Sequence, residues 1–240
     1  MIKFYQVPSN DERLLYASLY LCDKGFQRCD KYEKADFILA GIKQDNLDIY
    51  YPKPVFAGAV EGGKNVSNYT DDETFNLYNA YLTAQGALCE ATLSSDTALL
   101  HSKVLILGYG RISKALLRLL LPLTANISIV ARNEVQRTTA LLNGAKVYDF
   151  CDDIDYSSFD FIFNTIPHPV LCKKELEKIN RNAAVIELAS FPGGVDNHYA
   201  KILGVNLVIS RGLPGKYFPK TSGELVAKTV IKMLKGECKL

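Results

Sequence analysis

Short apolar runs alternate along the chain with stretches of helical periodicity, most regularly from Lys103 onward. Strands that alternate with helices indicate βαβ units and a parallel sheet. The predicted strands of this region are Val104–Leu107, Ile127–Val130, Lys146–Tyr148, Phe161–Asn164, Val185–Leu188 and Leu207–Ile209. The predicted helices are Arg111–Leu121, Val135–Asn143, Lys173–Ile179, Asn197–Leu203 and Thr221–Lys235. The pattern therefore predicts an α/β fold with a doubly wound parallel sheet.

The residues before this region show the same alternation on a smaller scale. Predicted strands are Lys3–Gln6, Asp36–Ala40 and Val55–Gly58. Capping boxes at Ser9–Glu12 and Thr70–Glu73 predict helices that run to about Lys24 and Tyr81, and a further helical stretch runs from Thr83 to about Leu99. We therefore predict a small N-terminal α/β domain with a linking helix over residues 1–82. The larger domain then covers residues 83–240.

Composition excludes several classes of protein. A net charge of +2 over 240 residues, without a basic stripe, argues against a nucleic-acid partner. Six cysteines without a C-x-x-C pair predict free thiols and no metal site. The first residues lack the apolar core of a signal peptide, and no apolar run reaches the roughly 20 residues that span a membrane. We expect a soluble, cytoplasmic protein without a membrane partner.

The sharpest motif is a glycine turn between a predicted strand and a predicted helix. Gly108 permits a tight turn, and Gly110 lets the backbone approach a pyrophosphate at the helix N-terminus. Ser113 stands at the third fingerprint position, where a small residue allows close packing. Such turns are common, but this one lies inside a complete βαβ unit and predicts a Rossmann-type dinucleotide site. The alternative is a structural turn that has lost its ligand.

The end of the second predicted strand indicates which dinucleotide binds. An NAD site usually has Asp or Glu there for the ribose 2′-hydroxyl, whereas this chain has Arg132. A guanidinium can bind a 2′-phosphate through paired hydrogen bonds. NADP is therefore favoured over NAD. The alternative is an Arg132 side chain that is only solvated at a strand end.

Pro- and Gly-rich segments follow later strands, where ligands of open α/β sheets gather. They are Asn164–Pro169, Ala189–Gly194 and Arg211–Lys216. Titratable groups in and near these segments have alternative interpretations. His168 is either a proton carrier or a solvated side chain. Lys220, with Arg211 and Lys216 nearby, suits either a carboxylate site or a set of solvated cations. Asp196 and Glu187 equally suit a helix cap and a strand-end charge. Because no Ser-His-Asp set is present, hydride transfer suits the sequence, since the cofactor carries that chemistry.

Several of these motifs occur together in one family. The chain resembles the A subunit of dipicolinate synthase, from endospore-forming bacteria, over about two thirds of its length. The resemblance is carried by Asp71-Asp72, Asn79–Ala87, the glycine turn, Val130–Arg132, Phe163–Pro167, Leu188–Ser190 with Pro192–Gly194, and Gly212–Gly215 with Pro219–Thr221. The chain departs from the family in its shorter first unit and in Gln85, which stands where the family has Glu. An amide there can only hydrogen-bond.

The resemblance implies NADP-linked oxidation of a dihydrodipicolinate-type precursor to pyridine-2,6-dicarboxylate during sporulation. It also implies a flavoprotein-like B subunit as partner, a homo- or hetero-oligomer, and a fold like that of D-2-hydroxyacid dehydrogenases. A dicarboxylate substrate needs cationic or N–H partners, for which Lys220 and the Gly193–Gly194 backbone are the candidates. By position, Thr83, Ser190 and Thr221 are expected to line one cleft between the first unit and the Rossmann unit.

These considerations assign the candidate site residues. The catalytic candidates are Lys220, Thr83, Ser190 and His168. The cofactor-binding candidates are Gly108, Tyr109, Gly110, Arg111, Ile112, Ala131, Arg132, Asn133, Thr165, Ile166, Pro167 and Ala189. The substrate-binding candidates are Gln85, Gly193, Gly194, Pro214 and Thr221, and no metal site is expected. Two alternative functions stay open: an NADP-dependent dehydrogenase of another small carboxylate, and a nucleotide-binding subunit without catalytic activity.

Overall fold

The computed structural model describes residues 1–61, 63–124 and 126–236 of the chain. The strands are β1 (Lys3–Gln6), β2 (Gln27–Arg28), β3 (Phe37–Ile42), β4 (Val55–Gly58), β5 (Val66–Asn68), β6 (Val104–Leu107), β7 (Ile127–Val130), β8 (Lys146–Tyr148), β9 (Phe161–Asn164), β10 (Ala184–Glu187) and β11 (Asn206–Ile209). The α-helices are α1 (Glu12–Asp23), α2 (Glu73–Leu93), α3 (Arg111–Leu120), α4 (Glu134–Leu142), α5 (Lys173–Leu176), α6 (Asn197–Leu203), α7 (Leu213–Tyr217) and α8 (Pro219–Leu234).

The described residues form two compact units, each with its own parallel sheet. The first unit combines Met1–Asn79 with the segment that starts at Pro214, and its strand order is β2-β1-β3-β4-β5. This is the 2-1-3-4-5 order of flavodoxin-like sheets. The second unit, Ala80–Leu213, has the order β11-β10-β9-β6-β7-β8. Both sheets are parallel, the second unit is doubly wound, and the predicted fold class is confirmed.

The central strands of the second sheet are buried along their whole length. Every residue of β6, β9 and β10 is buried, as expected for parallel strands covered on both faces. Leu105, Ile162 and Val185 from these strands share one apolar core. Because the strands are continuous apolar runs, their positions were readable from the sequence.

The C-terminal helix belongs to the first unit. The sequence-based division placed residues 83–240 in one domain, but α8 packs on α1. Val226 and Val230 of α8 share a core with Phe4 of β1 and Leu14 of α1. An apolar helix face shows that a helix is buried, and it does not identify the surface that buries it. The domain boundary therefore differs from the predicted one at its C-terminal end.

Other differences concern the ends of elements. One continuous helix, α2, replaces the two helices predicted over residues 70–99. The helix caps are Asp11, which accepts a hydrogen bond from the Arg13 amide, and Asp72, which accepts one from the Phe75 amide. Ser9 and Thr70, the predicted caps, lie outside the α-helices, and Thr70 belongs to a short 3-10 helix, Tyr69–Asp71, that precedes α2. The two- and three-residue strands β2 and β5 were not predicted, since such short strands carry no periodicity.

Five of the predicted free thiols, Cys22, Cys29, Cys89, Cys151 and Cys172, are free cysteines. Cys238 lies outside the described residues. In the described part of the chain, no helix is both long enough and apolar enough to span a membrane.

Candidate dinucleotide site and its adjoining loops

The glycine turn lies at the carboxyl edge of the second sheet, between β6 and α3. Gly108 has a φ of +97°, in the left-handed region that favours glycine. A Cβ atom at Gly108 would lie 2.7 Å from Thr165 Oγ1 and 3.0 Å from Ile166 Cγ1. The turn and the loop after β9 therefore approach each other too closely for a side chain at this position. Both follow neighbouring strands at the point where the strand order reverses, which is where open α/β sheets bind ligands.

Gly110 occupies a different environment. It is the N-cap of α3 at a φ of −85°, and a Cβ atom there would meet no atom within 4 Å. Internal packing and backbone conformation therefore do not require glycine at this position. Open space beside a helix N-terminus without a capping side chain is what a pyrophosphate needs for close approach. The geometry fits the dinucleotide site predicted at Gly108–Ile112.

Ser113, at the third fingerprint position, ties the turn to its neighbours. Its side chain is buried, and its hydroxyl lies 2.8 Å from the Thr165 hydroxyl, which in turn donates to the Leu107 carbonyl at 2.8 Å. Because the Thr165 hydroxyl donates its only proton to the Leu107 carbonyl, the Ser113 hydroxyl is the donor to Thr165. A small hydrogen-bonding residue therefore holds α3 against β6 and the loop after β9.

The end of β7 presents the residues predicted to select NADP. Arg132 is exposed, and in the described part of the chain its guanidinium makes no hydrogen bond or ion pair. Asn133 caps α4 by accepting a hydrogen bond from the Gln136 amide at 3.1 Å. Arg137, which the sequence analysis did not assign, donates to the carbonyls of Ala131 and Arg132 at 2.7 Å each. Arg137 thus fixes the backbone that carries Arg132.

Asp149 holds the Arg137 side chain that is hydrogen-bonded to the end of β7. Its carboxylate pairs with the Arg137 guanidinium and accepts a hydrogen bond from the Cys151 thiol at 2.9 Å. The Cys151 contact is the main reason that the pKa of Asp149 is lowered and that of Cys151 is raised. The charged form of Asp149 is therefore favoured, which maintains its ion pair with the Arg137 guanidinium that holds the backbone of Ala131 and Arg132.

The remaining predicted cofactor residues all follow β6, β7, β9 or β10 at the same edge. Burial distinguishes them: Tyr109, Ala131 and Ala189 are buried, Ile112 and Ile166 are half-buried, and Arg111 and Pro167 are exposed. Burial raises the pKa of the Tyr109 phenol, so the group is neutral over the physiological range. The structure therefore brings the predicted cofactor set together on one edge of one sheet.

The loop after β10 is organised by a residue that the sequence analysis left undecided. Glu187 is 2% exposed, and its carboxylate accepts hydrogen bonds from the backbone amides of Ala189, Gly194 and Val195, all at 2.9 Å. The Asn164 side-chain amide, from the end of β9, donates to both carboxylate oxygens at 2.9 and 3.0 Å. Glu187 is thus a buried, multiply hydrogen-bonded carboxylate. Asp196, by contrast, caps α6 through the amides of His198 and Tyr199.

The backbone amides of Gly193 and Gly194 already have acceptors. The Gly193 amide donates to the Ser190 carbonyl at 2.8 Å, and the Gly194 amide donates to Glu187. Both glycines are buried. Their predicted role as N–H ligands of a substrate carboxylate therefore gains no support from the geometry, because each donor is satisfied within the protein.

A cationic and aromatic surface borders this loop. Ser190 and His168 are exposed, and the Arg211 guanidinium lies 5.9 Å from the centre of the exposed Phe191 ring. Arg211 also donates to the Ala189 carbonyl at 3.4 Å. Next to it, the buried Ser210 hydroxyl has no hydrogen-bond partner among the residues that the structure describes. Arg211 is the cation that the second unit places beside the predicted substrate loop.

The other predicted substrate and catalytic residues divide between the units. Thr83 and Gln85 lie on α2 within the second unit, and Gln85 is exposed. Lys220 and Thr221 are exposed in the first turn of α8, and Pro214 begins the same C-terminal segment of the first unit. Within their own units, these residues occupy helix surfaces and helix ends. Their assembly into one cleft stays a prediction.

A cavity of about 610 Å³ lies at the opposite edge of the second sheet. Its lining includes Lys103, Asn126 and Lys146, which stand at or just before the amino ends of β6, β7 and β8. Ligands of doubly wound sheets bind at the carboxyl edge. We therefore place the dinucleotide site at the glycine turn and not in this cavity.

Comparison with known proteins agrees with the resemblance seen in the sequence. The chain is 28% identical over 204 residues to the A subunit of dipicolinate synthase from Bacillus subtilis (strain 168), covering 80% of this chain and 69% of that protein. No protein-family model matches the chain.

Solved structures show the fold. The crystal structure of the dipicolinate synthase A subunit from Bacillus halodurans superposes with a TM-score of 0.85 at 20% identity, covering 97% of both chains. A transhydrogenase from Sinorhizobium meliloti has a TM-score of 0.75 at 15% identity, covering 98% of this chain and 94% of the other. The predicted resemblance is thus confirmed: this chain is similar in sequence to the A subunit of dipicolinate synthase and shares the two-sheet, Rossmann-type α/β fold of that protein.

Proposed function

We propose that this protein is an NADP-dependent oxidoreductase subunit that forms dipicolinate from a dihydrodipicolinate-type precursor during sporulation. The observation that carries the proposal is the 28% identity to the A subunit of dipicolinate synthase across 80% of the chain. The glycine turn and the loops after β9 and β10 carry the motifs of that resemblance. These segments lie on one edge of one sheet, so a single cofactor can contact all of them.

Residues of the second unit are suited to hold the cofactor. Gly110 leaves space for the pyrophosphate at the start of α3, and the left-handed backbone of Gly108 forms the turn that leads to it. Arg132 offers a 2′-phosphate a guanidinium that has no hydrogen bond or ion pair to any described residue. Arginine in place of a carboxylate at position 132 favours NADP over NAD, because a carboxylate would repel the extra phosphate. When bound, the nicotinamide supplies a hydride acceptor.

The protein's own contribution to the reaction is orientation. A dihydropyridine dicarboxylate becomes aromatic on losing a hydride and a proton, so the driving force lies in the substrate and a strong base is not required. Arg211, beside the loop after β10, supplies a cation for a substrate carboxylate. His168 is exposed beside the loop after β9 and accepts the proton, either directly or through water.

Cofactor choice is tested by titrating the purified protein with NADPH and NADH and following the nicotinamide fluorescence. We expect tighter binding of NADPH. Arg132→Asp should weaken NADPH binding by about 1.5–3 kcal/mol, the range of a hydrogen bond to a charged group. Arg181→Asp, an exposed arginine just before the amino end of β10, is the matched control and should bind NADPH normally. A preference for NADH would remove Arg132 from this role.

The reaction is tested by co-purification with a flavoprotein-like B subunit, followed by an assay for dipicolinate absorbance with NADP present. Product formation that depends on both proteins and on NADP would support the proposal. Tight NADPH binding without any turnover of a dihydrodipicolinate precursor would contradict it, and would favour a dehydrogenase of another small carboxylate or a non-catalytic nucleotide-binding protein.

A further inference from the structure

The carboxylate of Glu187 is a charged group inside the second unit that the proposed chemistry does not use. It is 2% exposed at the end of β10. Removing a carboxylate from water is unfavourable unless hydrogen bonds replace its solvation. Here the replacement is provided by the backbone amides of Ala189, Gly194 and Val195 and by the Asn164 side chain.

These hydrogen bonds join two loops that leave neighbouring strands. Asn164 ends β9, and besides donating to Glu187 it accepts from the Ile166 amide at 3.1 Å and donates to the Ile166 carbonyl at 3.1 Å. Gly194 closes the other loop, and its carbonyl accepts from the amides of Val170 and Leu171 at 2.9 and 3.0 Å. The carboxylate of Glu187 and these backbone hydrogen bonds together set the distance between the loop after β9 and the loop after β10.

The two loops approach so closely that their arrangement is highly constrained. A Cβ atom at Gly194 would lie 2.4 Å from the Ile166 carbonyl oxygen and 2.7 Å from the His168 carbonyl oxygen. The segment held in this way includes Thr165, whose hydroxyl supports the glycine turn. The segment beyond Glu187 includes Ala189. Both are predicted cofactor contacts, and both lie away from Arg132, which follows β7 on the other side of β6.

We infer that Glu187 is a positioning residue for the nicotinamide half of the cofactor, acting through Asn164 and the two loops; this inference rests on the proposed function. The carboxylate holds the loops in the conformation that orients the nicotinamide ring. The phosphate and adenosine half depends on the glycine turn and Arg132 instead. Loss of the carboxylate therefore affects the two halves of the cofactor unequally.

The test compares two probes on the intact protein: NADPH, and adenosine 2′,5′-bisphosphate, which lacks the nicotinamide. Glu187→Gln keeps the size of the side chain but replaces one carboxylate oxygen with an NH2 group. This group cannot accept a hydrogen bond from the backbone amides that face Glu187. We expect NADPH affinity to fall on the order of tenfold, the effect of losing one charge-assisted hydrogen bond. The enhanced fluorescence of bound nicotinamide should also be lost. Binding of the bisphosphate should change by less than about twofold, because Thr165 beside the glycine turn is anchored to the Leu107 carbonyl of β6 by its own amide and hydroxyl and not by Glu187.

Asp196→Ala is the matched control. It removes the cap of α6 in the same unit and is expected to lower thermal stability, but both probes should bind as in the unaltered protein. If Glu187→Gln does not fold, Asn164→Ala serves in its place, because it removes the side-chain link from the end of β9 to Glu187 and leaves the backbone amides on the carboxylate. A selective loss of NADPH binding in that variant would equally support the inference.

Equal weakening of both probes, or no change in either, would overturn the positioning role and leave Glu187 as a stabilising group alone. Failure of the unaltered protein to bind NADPH and the bisphosphate would instead contradict the proposed function, and the inference would fall with it. Probe binding by the unaltered protein therefore distinguishes failure of the positioning role from failure of the proposed function.

Discussion

At the scale of single residues, glycines with the same chemistry serve different purposes in the second unit. Gly194 lies where the backbones of two loops almost touch, whereas Gly110 faces open space. Packing requires glycine at position 194 and does not require it at position 110. A glycine that packing does not require, at a helix N-terminus in a βαβ unit, is the residue-level feature that favours a bound ligand.

This contrast gives a paired prediction. Gly194→Ala should lower the free energy of unfolding by about 1–3 kcal/mol or more, because the new methyl group would meet carbonyl oxygens that cannot move independently. Gly110→Ala should cost at most about 1 kcal/mol at an N-cap, yet weaken NADPH binding by blocking the approach of the pyrophosphate. Urea denaturation and NADPH titration measure the two effects. Intact NADPH binding by Gly110→Ala would contradict the location of the site.

Tyr156 provides a pH-dependent prediction. Its ring is buried, and burial, aided by the nearby Glu175 charge, raises the pKa of the phenol to about 12. The folded pKa thus exceeds the ordinary value of 10.0. The unfolded chain loses this proton first, so the stability present below pH 10 is lost as the pH rises toward 12. We expect Tyr156→Phe to lose less stability in urea between about pH 10 and 11 than the unaltered protein.

The control for this measurement is Tyr78→Phe, since Tyr78 is 62% exposed. Its phenol is hydrated in the folded and unfolded states alike, so its removal should leave the alkaline loss of stability unchanged. Identical pH profiles for Tyr156→Phe and the unaltered protein would contradict the effect of burial.

At the scale of elements, the C-terminal helix shows how a small residue selects a packing partner. Gly223 of α8 lies against α1 so closely that a Cβ atom would be 2.3 Å from the Arg13 carbonyl oxygen and 2.8 Å from Tyr16 Cβ. Close helix–helix approach brings the apolar residues of both helices into one core. The glycine was visible in the sequence, but its partner lies near the other end of the chain.

We predict that Gly223→Ala lowers the free energy of unfolding of the first unit by about 1–3 kcal/mol, because the helices must separate to admit the methyl group. Lys235→Ala, an exposed change at the C-terminal end of the same helix, should alter it by less than about 0.5 kcal/mol. Chemical denaturation followed by circular dichroism measures both. A stable Gly223→Ala variant would show that α8 can shift along α1 without loss of packing.

At the scale of the whole molecule, the chain builds its second unit from one continuous segment and its first unit from two. Residues 80–213 contain every strand of the second sheet, whereas the first unit includes α8 from the end of the chain. The continuous unit is therefore expected to fold by itself. Residues 1–79 alone are not, because without α8 the apolar faces of β1 and α1 lose part of their cover.

Residues 80–213 produced alone should unfold cooperatively on heating and bind NADPH through the glycine turn. A chain that ends at Leu213 should keep that transition and lose protection of the β1 and β3 amides in hydrogen exchange, since exposed apolar surface destabilises the remaining sheet. Full protection of those amides in the shortened chain would contradict the role of α8 in the first unit.

The α/β class, most buried strands and the glycine turn can be predicted from the sequence alone, because each depends on residues close together in the chain. Hydrophobic periodicity and the φ preference of glycine act locally, so they can be read without knowing the partners. The same holds for Arg132, whose position follows from counting along one βαβ unit.

Which distant segments meet can be known only from the folded chain. The placement of α8 on α1, the ion pair of Arg137 with Asp149, and the hydrogen bonds from the Asn164 side chain to Glu187 all join separate stretches of chain. In the sequence, Glu187 is one carboxylate at a strand end. Its burial among amide donors depends on how two loops pack, and periodicity holds no information on that packing.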